Sequence, residues 1–200
     1  TSAGNLDWYC KHFMKWEKEQ AKQNGKRFYD EVDTLVKQLP LTESEVLFLP
    51  FLYGSNADGC NSAAFVGLSN CHTTAYMLRA IFEGVVFSHL YHIEKLLQFR
   101  EPPKTVRLAG GAANSAVWVQ MFADALGIPV EVVLTKELGA QGCAMAAAVA
   151  AGVYPDYPAA SRAMVHIARI VQPHAENTAV YRRKYERYKK LMTLLGELPC

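Results

Sequence analysis

The stretch RLAGGAANSAVWVQMFADALGIPVEVV, residues 107–133, constrains the fold most, because two adjacent glycines stand where an extended segment gives way to a helical one. The pattern predicts a strand in KTVRLA, a helix in SAVWVQMFADAL that Gly127 ends, and a second strand in IPVEVV. The following LGAQGCAMAAAVAAG predicts another helix, whose alanines would allow close packing against neighbours. Two strand–helix units with short connections imply parallel strands covered by helices, so we expect an α/β fold.

The glycine turn allows two interpretations. We place Gly110, Gly111 and Ala112 at the carboxyl end of a strand, with Ser115 as the N-cap of the next helix. Glycine without a Cβ atom lets a ligand approach the main chain, and the free N–H groups of a helix start favour negative charge. Glycine also occurs in such connections merely to turn the chain. Neither the dinucleotide pattern G-x-G-x-x-G nor the phosphate-loop pattern G-x-x-x-x-G-K-[ST] is present.

The rest of the chain predicts a mixture of helices and short extended segments. We expect two helices joined at Asn24-Gly25 in the first forty residues, and a buried strand in Val46–Gly54, where Pro50 implies a bend or a position at the sheet edge. Residues 55–69 are predicted as loop because Asn, Asp, Gly and Ser dominate. A long helix is predicted from Thr73 to about Phe99. Its apolar stripe comprises Ala75, Leu78, Phe82, Val85, His89, Ile93 and Leu96.

The segment YRRKYERYKK near the C-terminus is predicted to be the solvated side of a closing helix with a buried stripe of tyrosines. The 21 basic and 19 acidic residues give a net charge of +2, without the clustered basic face that nucleic-acid binding needs. No apolar run reaches the ~18 residues of a membrane span. Five scattered cysteines favour reduced thiols in a cytoplasmic protein, and no metal-ligand spacing is visible.

Several ordered motifs carry a family resemblance. LAGGAANSAVWVQMFADALGIPVEV resembles the adenosine-binding segment of the FGGY carbohydrate kinases, in which a Gly-Gly turn precedes W-x-Q-x-x-A-D-x-x-G-x-P-V. Upstream, the order of Ala63, Phe65, Gly67, Met77 and Phe82-Glu83 resembles the C-terminal signature of that family, except that Tyr76 replaces the usual polar residue. FLPFLYGSNA and the YRRKYERYKK ending are most similar to the bacterial L-xylulose (3-keto-L-gulonate) kinase branch.

The resemblance implies an actin-like (ribonuclease H-like) ATPase fold, of which this chain would be the C-terminal, ATP-side half. The phosphate loop D-x-G-T of the N-terminal half is absent, and the sequence opens past the expected second loop. The resemblance therefore implies that the first strands of this half are missing too. It divides the chain into four parts. These are a helical segment (1–45), a strand, loop and long helix (46–100), an adenosine-binding βαβα core (101–155) and C-terminal helices (156–200).

By the same resemblance, the reaction is transfer of the γ-phosphate of ATP, with Mg²⁺, to a hydroxyl of a sugar such as the pentulose L-xylulose. The missing half would hold the sugar and supply the base, so we expect no catalytic residue in this chain and no turnover by it alone. Members of the family are commonly dimers, which makes a homodimer one expected state. The resemblance assigns nucleotide binding to six residues: Gly110, Gly111, Ala112, Ser115, Gly4 and Asp7.

Three acidic residues keep more than one interpretation. Glu83 would anchor the long helix or approach the nucleotide, and we favour the anchor because it lies in a helix interior. Asp124 is expected to be a non-catalytic residue on a helix face, and Asp58 to be solvated or in contact with the opposite domain. Two other classes of protein remain open. One is a non-catalytic actin-fold module that binds nucleotide or a partner, and the other is an α/β protein in which the glycine turn is only structural.

Overall fold

The computed structural model describes residues 2–42, 44–54, 62–135 and 137–197. Within them the chain forms eight α-helices and five strands. The helices are α1 Ser2–Phe13, α2 Lys15–Gln23, α3 Phe28–Gln38, α4 Thr74–Leu97, α5 Ala116–Leu126, α6 Leu138–Ala150, α7 Tyr157–Met164 and α8 Ala175–Gly196. The strands are β1 Leu47–Leu49, β2 Ala64–Val66, β3 Val106–Leu108, β4 Val130–Val133 and β5 Ile167–Val171.

The predicted strand–helix alternation around the glycine turn is confirmed. β3 pairs in parallel with β4, and β5 adds to β4 in the antiparallel direction. The Ser115 hydroxyl caps α5 by accepting a hydrogen bond from the N–H of Trp118, and Gly127 ends α5 in the left-handed conformation with φ 70°. A short 3₁₀ turn, Gly111–Asn114, precedes α5. Local cap and turn chemistry is therefore sufficient to set the limits of this helix.

The long helix α4 forms the centre of the core, which extends beyond the predicted stripe. Leu78, Phe82 and Val85 of the stripe are buried, but so are residues on the other faces, whereas Leu96 is exposed. Gly84 allows α4 to lie directly on β1, because a Cβ atom there would stand 2.2 Å from the carbonyl oxygen of Phe48. α5 and α8 also pack against α4, so its middle is enclosed on all sides.

Four details of the sequence prediction need correction. The first helix is interrupted at Met14, so three helices rather than two precede residue 40, although the turn at Asn24-Gly25 is present. The predicted loop 55–69 contains β2, which pairs antiparallel with β1. Helices alone were expected after residue 156, yet β5 lies there. The alanine-rich α6 contacts α7 but has no buried residue.

A buried ionic cluster ties α4, α8 and the end of α3 together. The carboxylate of Glu83 accepts hydrogen bonds from Nε of Arg79 and Nζ of Lys184, both at 2.8 Å. Arg79 also donates to the backbone carbonyl of Leu39. The three charged side chains are at most 6% exposed. The expected anchoring role of Glu83 is thus confirmed.

Asp124 likewise has a structural role. Its carboxylate accepts hydrogen bonds from the backbone N–H of His174 at 2.8 Å and from the side-chain amide of Asn177 at 2.7 Å. Both donors lie at the start of α8, so Asp124 connects α5 to that helix. In the described part of the chain, no helix is long and apolar enough to cross a membrane.

Candidate functional site

A cleft of about 210 Å³ opens where the glycine turn, the start of α1 and the polar side of α3 meet. It is lined by Ala3, Leu6, Asp7, Arg27, Tyr29, Asp30, Asp33, Phe82, Gly111, Asn114, Ser115 and Trp118. Three of the six residues predicted to bind nucleotide, Asp7, Gly111 and Ser115, therefore line one cleft although they come from distant parts of the sequence.

The other three predicted residues lie close by. Gly110 and Ala112 line a second cavity of about 240 Å³ on the other side of the turn, which Gly111 also lines. Ala112 is only 6% exposed, so its methyl group belongs mainly to the core. Gly4 belongs to the first turn of α1 but is not part of the lining of either cavity, whereas its neighbour Ala3 lines both.

The turn itself requires glycine at Gly110. Its backbone has φ 83° and ψ −163°, a region that residues with a side chain almost never adopt. Nothing lies within 4 Å of the point where its Cβ would stand. A Cβ on Gly111 would be 3.0 Å from the Cβ of Ala3, so the turn and α1 are in close contact. The space beside Gly110 is therefore open, whereas Gly111 packs closely against Ala3.

The floor of the cleft is aromatic. The rings of Phe82 and Trp118 stack with their centroids 4.2 Å apart, and both side chains are almost fully buried. The indole N–H of Trp118 donates to the backbone carbonyl of Phe82 at 3.1 Å, which fixes the two rings to each other. A flat apolar group inside the cleft would lie beside these rings.

The walls carry three carboxylates. Asp33 accepts a hydrogen bond from the Ser115 hydroxyl at 2.7 Å, and Asp7 accepts one from the Tyr29 hydroxyl at 2.6 Å. Burial raises the pKa of the Asp33 carboxyl; the Ser115 hydroxyl opposes this shift, and the nearby charge of Asp30 adds to it. Partial burial and the bond to Asp7 raise the pKa of Tyr29.

Among the described residues that line the cleft, Arg27 is the one cationic side chain, and its Nε lies 3.9 Å from a carboxylate oxygen of Asp30. The ionised cleft is therefore net negative. Such a lining favours neutral groups with hydrogen-bond donors and disfavours phosphate. On the side of Gly111, Ala3 of α1 closes the cleft.

The sequence analysis did not identify the contribution of α3 to this cleft. The sequence predicted a helix there but did not single out Asp30 or Asp33 as candidates for a site. Asp33 meets Ser115 across 82 residues of sequence, and no local pattern indicates such a contact. His89, placed by the sequence on the apolar stripe of the long helix, is half-buried. It lines the second cavity with its ring against Phe122, and burial lowers its pKa. Asp58 lies outside the described residues.

No group of three or more His, Cys, Asp or Glu side chains that could hold a metal ion occurs in residues 2–42, 44–54, 62–135 and 137–197. Three described cysteines, Cys10, Cys71 and Cys143, are free thiols. Cys10 is buried, and burial raises its pKa to about 12.

The fold is that of a carbohydrate kinase domain. The crystal structure of xylulose kinase from Rhodospirillum rubrum matches with a TM-score of 0.78 at 26% identity, covering 96% of this chain and 38% of that one. Gluconate kinase from Lactobacillus acidophilus has the same fold, with a TM-score of 0.81 at 19% identity over 98% of this chain and 38% of that chain. The predicted α/β class is thereby confirmed.

The chain belongs to the FGGY family of carbohydrate kinases, whose C-terminal domain it matches over residues 1–151. The L-xylulose/3-keto-L-gulonate kinase of Escherichia coli K12 is 38% identical over 98% of this chain and 37% of its own length. A probable L-xylulose kinase of Pasteurella multocida is 36% identical, with the same shares covered. The chain thus spans 37% of the length of these relatives.

Proposed function

We propose that this chain is the ATP-side domain of a sugar kinase that transfers the γ-phosphate of ATP to a hydroxyl of a pentulose such as L-xylulose. The observation that carries the proposal is the convergence of Asp7, Gly111 and Ser115 on one cleft beside the glycine turn. The names of the similar proteins from E. coli and P. multocida support the substrate class.

The charges of the cleft favour one orientation of the nucleotide. The purine and ribose are neutral and present hydrogen-bond donors, so they suit the aromatic floor and the carboxylates of Asp7 and Asp33. The phosphates would be repelled there by the carboxylates, and the family resemblance puts them near Gly4. We infer that the nucleoside occupies the cleft and that the phosphates leave it past Gly111.

The chemistry of transfer needs groups beyond this cleft. Phosphoryl transfer depends on alignment and neutralisation of charge, together with a group near the attacking hydroxyl that takes its proton. We assign the base and the sugar pocket to the substrate-side domain that the family resemblance implies. Mg²⁺ is proposed to enter with the phosphates of ATP, whose oxygens are ligands that this ion prefers. A cytoplasmic location, where ATP is available, and a homodimer stay expectations of the resemblance.

A coupled assay with ATP and L-xylulose tests the proposal. We expect turnover by the complete gene product and none by residues 1–200 alone. Absence of turnover by the complete gene product with any pentulose, despite binding of ATP, would favour the non-catalytic nucleotide-binding module instead.

A matched pair of variants connects the activity to the cleft. Gly111→Val places a branched side chain against Ala3 at the cleft wall, and it should raise the KM for ATP about 10-fold or more, since one misplaced methyl-sized group in a pocket costs ~1–3 kcal/mol. Gly139→Val in α6, where nothing lies within 4 Å of the new Cβ, should leave this KM unchanged. Equal KM values for the two variants would contradict the assignment.

A further inference from the structure

A groove of about 640 Å³ lies where the end of α1, the exposed side of α2 and the start of α3 meet. Its volume is in the range of small-molecule sites, about 300–1,000 Å³. Among the described residues, its lining and that of the cleft beside the glycine turn have no member in common. Its charged lining residues are Lys11, Lys15, Lys18, Glu19, Lys22 and Lys26.

The groove concentrates positive charge that the composition of the chain conceals. Five ammonium groups stand against the single carboxylate of Glu19, so the charge of the lining is +4. The whole chain has a net charge of only +2, which means that the rest of it is net negative. The positive charge of the groove is therefore a local feature.

The fold neutralises little of this charge. Nζ of Lys26 lies 4.0 Å from a carboxylate oxygen of Glu31. Among the described residues, no carboxylate forms an ion pair with Lys15, Lys18 or Lys22. Lys15 is the first residue of α2, and Lys18 and Lys22 lie one turn apart on it. A cation at a helix N-terminus and like charges one turn apart both destabilise a helix, so helix stability does not explain the arrangement.

We propose that the groove binds a small anion with two separated phosphate groups, such as a bisphosphorylated metabolite. A phosphate monoester carries about −1.5 to −2 charges at pH 7, so two of them balance a lining charge of +4. Lys15 and Lys22 are seven residues apart, which is about 10 Å along a helix, and lysine is a common phosphate ligand. Lysines at the two ends of the groove would each hold one phosphate.

The rest of the lining suits the part of the ligand between the phosphates. Phe28 and Cys10 line the groove with apolar side chains that are at most 8% exposed. The carbon skeleton of the ligand would lie against them. A concave site lined by lysines is unlike the centre of a protein interface, from which lysine is depleted, so a small anion fits better than an acidic protein.

The test is isothermal titration calorimetry of the complete gene product with hexane-1,6-diyl bisphosphate and with hexyl phosphate. The two probes share the same carbon chain and differ in the number of phosphates. We expect the bisphosphate to bind about 10-fold more tightly or better, because the second phosphate binds as part of the same molecule. Its affinity should fall as the salt concentration rises, since salt screens exposed charges.

A pair of double variants locates the binding. Lys18→Gln with Lys22→Gln removes two charges from the groove and should weaken binding of the bisphosphate about 10-fold or more. The control, Lys37→Gln with Lys190→Gln, removes the same charge from exposed positions outside the groove lining and should keep the wild-type affinity. All four lysines are exposed, so both proteins should fold like wild type.

Three results would overturn the inference. The first is wild-type protein that binds the two probes equally or binds neither, because then the groove does not hold two phosphates. The second is an equal loss of bisphosphate affinity in both double variants, which would reflect net charge and not the groove. The third is binding of poly-L-glutamate or oligo-dT, without binding of the bisphosphate, that the groove variant abolishes. This last result would assign the groove to an acidic protein or to nucleic acid.

Discussion

Gly84→Ala should destabilise the protein through a single methyl group. Gly84 lies in the buried middle of α4, against β1. Its new Cβ would stand 2.2 Å from the carbonyl oxygen of Phe48 and 3.1 Å from the carbonyl carbon, whereas ordinary contacts begin at 3.4 Å. The obstacle is backbone, so no side-chain rotation relieves it, and α4 and β1 must separate by about 1 Å.

Two opposing effects determine how much Gly84→Ala changes the free energy of unfolding. Alanine in place of glycine stabilises a helix interior by about 1 kcal/mol. Overpacking a core with one extra methylene costs about 1–3 kcal/mol, and an immovable backbone obstacle places Gly84→Ala at or above the upper end. We therefore expect a net loss of about 2 kcal/mol in the free energy of unfolding. For a domain of this size, that loss corresponds to a decrease of about 4–8 °C in Tm.

Urea denaturation monitored by circular dichroism measures this loss, and Gly142→Ala provides the control. Gly142 is also in a helix, α6, but nothing lies within 4 Å of its added Cβ, so the same change should stabilise by up to about 1 kcal/mol. Opposite signs for the two variants are the predicted result. A Gly84→Ala protein as stable as wild type would refute the close contact of α4 with β1, which also positions Phe82 at the floor of the cleft.

Two further predictions concern buried charges. Lys184→Met leaves Glu83 with Arg79 alone and should lower the free energy of unfolding by about 3–5 kcal/mol. The control Lys190→Met, on the exposed side of α8, should change it by less than about 0.5 kcal/mol. Similar losses for both variants in urea denaturation would argue against the buried ionic cluster. The folded-state pKa of Asp33 is raised above the ordinary 3.8, so its ionised form costs stability that is regained on protonation. Wild-type protein should therefore gain stability relative to Asp33→Asn as the pH falls from 7 towards 4, and the opposite trend in paired denaturation curves would contradict the burial of this carboxylate.

Local signals in the sequence account for most of the helices and for the strands around the glycine turn. Ser115 and Gly127 define α5 because a cap hydroxyl and a left-handed glycine act within a few residues. The tyrosine stripe of α8 was predicted by its spacing, and Tyr181, Tyr185 and Tyr188 are buried. These features depend on neighbours in sequence, so the sequence alone is sufficient to find them.

The features that the sequence did not reveal depend on partners far along the chain. β2 has three residues, half-buried or exposed, and becomes a strand only because it pairs with β1. β5 is mostly exposed, so it lacks the alternation of apolar and polar residues that marks a half-buried strand. Asp33 belongs to the cleft because folding brings it to Ser115, and its neighbours in sequence carry no sign of that contact.

Interpretation of the glycine turn required both the sequence and the structure. The sequence was compatible with two explanations of the paired glycines, a tight turn and a ligand contact. The backbone conformation of Gly110 is by itself a sufficient reason for glycine at that position. The case for a ligand therefore rests on the cleft beside Gly111 and on the residues that converge there.

The most direct test of the central claim is a crystal structure of the complete gene product with a non-hydrolysable ATP analogue. We predict the purine on the floor of Phe82 and Trp118, its edge within hydrogen-bond distance of Ser115 or Asp33, and the phosphates outside the carboxylates of the cleft, near Gly4. A purine bound elsewhere, or phosphates among the carboxylates of Asp7, Asp30 and Asp33, would contradict the account.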